Sequence, residues 1–84
     1  NARYSYVHGV ALHSTGRTQR ALAALEEGHR AHPGDTNLLV ALVTIYRDEG
    51  DFPTALHYAR QLVELQPEDP ETHALVRELE ALRP

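Results

Sequence analysis

The chain contains no cysteine, methionine, tryptophan or lysine. Without cysteine there is no disulfide, no thiolate nucleophile and no thiolate-held zinc, and nothing records the redox state of the compartment. Without lysine, all eight side-chain cations outside histidine are arginines, which with abundant alanine and leucine fits a GC-rich bacterial source. Ser5 and Ser14 are the only serines; neither sits in a nucleophile elbow, and no glycine-rich phosphate loop is present. The longest apolar run, Leu38 to Tyr46, falls far short of the ~20 residues a membrane span needs. No signal peptide is visible, so bacterial cytoplasm and periplasm both stay open. Missing its initiator methionine and opening on Asn1-Ala2, the chain reads as a piece of a longer protein.

What remains is one small domain of 84 residues with net charge −4. A chain of that size buries only about two-thirds of its unfolded surface, so a thin core is expected. The charge is uneven. Residues 1–34 carry four arginines against Glu26 and Glu27, and residues 35–84 carry four arginines against ten acids. That distribution lacks the clustered basic face that nucleic acid requires; two ordinary solvated surfaces are the simpler account of it.

Leu38-Leu39-Val40-Ala41-Leu42-Val43-Thr44-Ile45-Tyr46 is apolar on nearly every side, and a helix of that kind has to be covered from more than one direction. The other helices are expected around it. Residues 2–15 place Tyr4, Val7, Ala11 and Leu12 at helical spacing, with Gly9 among them permitting close approach. Gly16 ends this helix and Thr18 is the expected N-cap of the next, over 18–31, which turns Ala21, Leu22, Leu25 and Gly28 inward. Pro33-Gly34-Asp35 breaks the chain before the central helix. Asp51-Phe52-Pro53 starts a fourth, reaching about Leu65 with Ala55, Leu56, Ala59, Leu62 and Val63 inward. Asp69-Pro70 starts a fifth with Leu75, Val76, Leu79 and Leu82 on one face.

Shifting the chain by 34 residues superposes Gly16 on Gly50, Ala21 on Ala55, Leu22 on Leu56, Pro33 on Pro67 and Asp35 on Asp69. In period and in the joint recurrence of small, turn and proline positions, the sequence resembles the tetratricopeptide repeat. The resemblance divides the chain into repeat one (2–35), repeat two (36–69) and a capping helix (70–84). It implies an all-α fold, a right-handed superhelix of five antiparallel helices. His8 stands where repeat two has Leu42, and Val43 and Leu62 stand where repeat one has Gly9 and Gly28, so the second helix pair should be spaced wider.

The resemblance further implies a concave groove lined by the first helix of each pair. Carried over by position, that groove holds Arg3, Tyr6, Val10, His13 and Ser14 in repeat one. In repeat two it holds Asn37, Val40, Thr44, Arg47 and Asp48, and in the cap Glu71, Ala74 and Glu78. The carboxylate clamp by which some members grip acidic chaperone tails is absent, its places being taken by Tyr6, Val10, Ala41, Glu71 and Leu75. The expected function is a non-enzymatic scaffold binding a protein or peptide, with no cofactor, nucleic acid or membrane involved.

His29 and His32 form the one tight histidine pair among six histidines, too few ligands for zinc. His8 reads as a core-edge histidine with a hydrogen-bond partner, and His13 as a surface or groove histidine. Asp48-Glu49-Gly50-Asp51 lacks the alternating oxygen ligands of a calcium loop. A rival parentage comes from the phrase Tyr6 to Gly16, which resembles the repeat tail of periplasmic multihaem cytochrome proteins; haem chemistry would then lie outside this chain. Finally, Tyr4, Tyr6, Val7 and Val10 cannot all turn inward on one helix, which leads to the expectation of a weak homodimer through the N-terminal helix.

Overall fold

A computed structural model describes residues 1–82 as five α-helices: α1 (Ala2–Ser14), α2 (Thr18–Ala31), α3 (Thr36–Asp48), α4 (Phe52–Leu65) and α5 (Pro70–Leu82). No strand occurs among the described residues. The boundaries follow from local chemistry. The side chains of Asn1, Asp35 and Asp51 accept the amides of Tyr4, Leu38 and Thr54, each three residues on, as an N-cap does. Asp69 caps α5 twice over, its Oδ1 accepting the Glu71 amide and its Oδ2 the Thr72 hydroxyl at 2.7 Å.

The turns repeat as the sequence does. Gly16 and Gly50 both adopt a left-handed conformation, φ +81° and +80°, which a Cβ would oppose. Just beyond them, the Arg17 and Asp51 amides each donate 2.9 Å back to the carbonyls of Leu12 and Tyr46. Arg17, rather than Thr18, is the residue preceding α2, and no side chain caps that helix.

Helix α3 is the shared wall of two apolar clusters. Leu38, Ala41, Leu42 and Ile45 meet Ala21, Leu22 and Leu25 of α2, while Leu39 and Val43 meet Ala55, Leu56, Ala59 and Leu62 of α4 and Leu79 of α5. Val63, Leu75 and Val76 are half-buried and Leu82 is exposed, so α5 covers the second cluster with one narrow stripe. The molecule measures 29 × 26 × 16 Å, thin as its length requires.

In α1 the expected stripe is corrected. Tyr4 is 66% exposed, Val7 is 54% exposed and Ala11 is also exposed, while the buried residue is Gly9, flanked by half-buried Ala2, Ser5 and Leu12. The cause is that side chains are seated directly on the glycine backbone of the facing helix. A Cβ on Gly9 would fall 2.5 Å from Leu25 Cγ, and one on Gly28 would fall 2.6 Å from Ser5 Cβ. α1 therefore presents its smallest residues to α2 and turns its largest outward. In the second pair, Val43 and Leu62 stand at the equivalent places and are themselves buried.

Candidate functional site

The 34-residue period sets residues of α1, α3 and α5 in rows: Arg3 with Asn37 and Glu71, Tyr6 with Val40 and Ala74, Val10 with Thr44 and Glu78. Arg3, Tyr6, Val10, Asn37, Val40, Asp48, Glu71, Ala74 and Glu78 are exposed; His13, Thr44 and Arg47 are half-buried. Val40 is 47% exposed on a helix whose other aliphatic residues are all buried. Arg3, Tyr6 and Asn37 come together with Ala2, Val7 and Asp35 around a cleft of about 170 Å³ between α1 and α3. On the other side of α3, Arg47 bridges to Glu78 of α5 at 3.5 Å and to its neighbour Asp48 at 3.9 Å. The Arg47 charge is thus already balanced, and the Thr44 hydroxyl is spent on the Val40 carbonyl at 2.9 Å. His13 makes no side-chain hydrogen bond among the described residues.

A polar joint between the repeats has no counterpart in the sequence reading. The hydroxyls of Tyr46 on α3 and Tyr58 on α4 both donate to one oxygen of Glu26 on α2, at 2.7 and 3.0 Å. Their rings lie 6.0 Å apart, nearly parallel. Burial, and secondly the hydrogen bond to Glu26, push the Tyr46 phenol well above its ordinary range and the Tyr58 phenol up to about 12. Beside them the His29 ring lies nearly perpendicular to that of Tyr58, centroids 5.7 Å apart, and its Nε2–H donates to Gln61 Oε1 at 2.9 Å. The Gln61 amide in turn donates to His57 Nε2 at 3.1 Å. The available signal was the shift itself, which puts Tyr46 and Tyr58 where repeat one has Leu12 and Ala24: two amphipathic rings where one repeat manages without them.

The remaining candidates are placed plainly. His29 belongs to this joint, whereas His32 is exposed beyond the end of α2. No group of three or more metal-ligating side chains occurs among the described residues. His8 is exposed and stacks on Tyr4 with centroids 5.6 Å apart, in place of the hydrogen-bonded core-edge position expected of it; turning α1 on its glycine face carries position 8 outward. A more voluminous cleft, about 520 Å³, lies away from the rows, along α4 between Pro33, Pro53, Arg60 and Leu65. Arg60 on its wall is tied to Glu80 at 3.1 Å. It is an open trough between Pro33 and the side of α4.

Two helix pairs in tandem, joined by a repeated turn and closed by a half-wet helix, define a helical-repeat solenoid. The family model for the tetratricopeptide repeat matches residues 12–79, and the chain belongs to that family. No curated protein matches it. The family supports a protein–protein interaction module, and no described helix is long and apolar enough to cross a membrane.

Proposed function

We propose that this chain is a binding scaffold that holds a peptide segment or partner protein on the face formed by α1, α3 and α5. The observation that carries the reading is the exposure of Val40, 47%, in a helix that buries every other aliphatic side chain it has. Around it stand Tyr6, Val10, Arg3, Asn37, Thr44, Arg47, Asp48, Glu71, Glu78 and His13, an apolar strip edged by both signs of charge. No catalytic step and no cofactor is assigned to the chain. A partner isolated by pull-down should lose affinity with Tyr6→Ala and with Arg47→Glu while helicity by circular dichroism stays unchanged. Arg60→Glu, on α4, should leave affinity alone; a larger loss from Arg60→Glu than from the other two overturns the assignment.

A weak homodimer is the second reading, favoured by four large apolar residues, Tyr4, Tyr6, Val7 and Val10, exposed on α1 alone. Scattered over one helix, they offer too little area for an obligate interface. Sedimentation equilibrium should show a monomer–dimer equilibrium that Tyr6→Glu abolishes, and a particle monomeric at every concentration refutes it.

A further inference from the structure

We infer that the occupant of the α1/α3/α5 face is an extended peptide carrying one acidic side chain, then a short apolar stretch, then one basic side chain. This rests on reading that face as the binding surface. The first row runs Arg3, Asn37, Glu71, from a cation through a neutral amide to an anion, and all three are exposed. Neither Arg3 nor Glu71 forms an ion pair within the chain among the described residues, whereas Arg47 is shared between Asp48 and Glu78 and leaves one further negative charge on the α3/α5 side. The charges left open to a partner therefore have opposite signs and lie at opposite edges of the face.

Between them the amide of Asn37 offers both a donor and an acceptor, the pair of functions an extended backbone needs. The adjoining row, Tyr6, Val40, Ala74, is apolar throughout and diminishes in size toward α5. It suits apolar side chains that grow bulkier toward the basic end of the peptide, where Ala74 leaves most room. The rows run across the helices. With neighbouring helices about 8–10 Å apart, the span from α1 to α5 is about 20 Å, matched by about six residues of extended chain. An acid meeting Arg3 and a base meeting Glu71 are thus about six residues apart, with leucine- or valine-like residues between.

The experiment uses the whole chain and four fluorescein-labelled octapeptides with the same leucine- and valine-rich centre. Their charged ends are Asp and Arg, Arg and Asp, Asp and Asp, or Arg and Arg; anisotropy is read at low salt. The mixed-charge peptides should bind about fivefold tighter than the same-charge ones, the scale of two exposed ion pairs. Glu71→Arg should transfer the preference to the peptide with two aspartates, and Arg3→Glu to the one with two arginines. Val40→Glu should weaken all four. If Val40→Glu weakens all four yet the peptides bind the wild type equally, the charge pattern is refuted and the binding face stands. If the peptides bind but Val40→Glu has no effect, or if none binds, the face and the inference on it both fall.

Discussion

Gly9→Ala sets two opposing effects against each other on one helix. In an isolated helix the change is favourable by about 0.8–1.0 kcal/mol, because glycine gives up more backbone freedom than alanine. Here the new Cβ would sit 2.5 Å from Leu25 Cγ, 2.6 Å from Cδ2 and 3.2 Å from Cδ1. Ordinary carbon contacts are about 3.5–4.0 Å, so the overlap is about 1 Å. Leu25 is 0% exposed and enclosed by Ala21, Leu22, Leu38 and Leu42, so it cannot swing into solvent. Either α1 lifts from α2 or Leu25 leaves its rotamer, at about 1–3 kcal/mol. Sterics win, and the net loss should be about 1 kcal/mol, a fall in Tm of about 4–8 °C for a domain of this size. Thermal and urea unfolding followed by circular dichroism measure it. Leu25→Ala alone should cost about 2–5 kcal/mol, but the double variant should cost less than the sum of the two, since truncating Leu25 removes the atoms the new Cβ would meet and that Cβ partly fills the space left. Gly34→Ala is the control: nothing lies within 4 Å of its Cβ and its φ is not positive, so it should be neutral or slightly stabilising. A rise in Tm for Gly9→Ala as large as for Gly34→Ala would refute the close approach of α1 to α2.

Ala55→Leu should overpack the second cluster, where Ala55 is 0% exposed, and cost about 1–3 kcal/mol. Glu64→Leu on the wet side of α4 should change the Tm little, and equal melting of the two variants would count against the helix register. Alkaline unfolding should expose the tyrosine joint. Both phenols are raised above the ordinary value of 10.0, so their contribution is fully present below about pH 10 and is lost as the pH climbs through about 12, where Tyr58 ionises. The Tm measured from pH 8 to 12 should fall above pH 10, and the fall should be shallower in the Tyr46→Phe/Tyr58→Phe variant. An unchanged slope in that variant would remove the joint from the account.

Where a residue's role depends on its own helix, the sequence was sufficient. Ala21, Leu22, Leu25 and Gly28, and likewise Ala55, Leu56, Ala59 and Leu62, are buried as their spacing requires. The caps at Asp35, Asp51 and Asp69 are equally local. The failure in α1 is one of rotation. Hydrophobicity favoured Tyr4 and Val7, but a helix carrying Ser5 and Gly9 opposite Gly28 and Leu25 approaches more closely on its small side, and hydropathy does not register that gain. The Glu26 joint was missed for a different reason: the shift marks Tyr46 and Tyr58, but they lie 20 and 32 residues from Glu26 and no single helix face contains all three. The α1/α3/α5 face was reached through the family pattern, as exposure cannot be read from a sequence in which Val40 is one aliphatic residue among many.

The shared carboxylate of Glu26 has a mechanical consequence. One oxygen atom on α2 holds hydroxyls from both α3 and α4, the two helices of the next unit. A rotation that lengthens one of these bonds has to swing or lengthen the other, because both end on the same point. The two bonds that cross the boundary between the units therefore respond together to any rotation of one unit against the other.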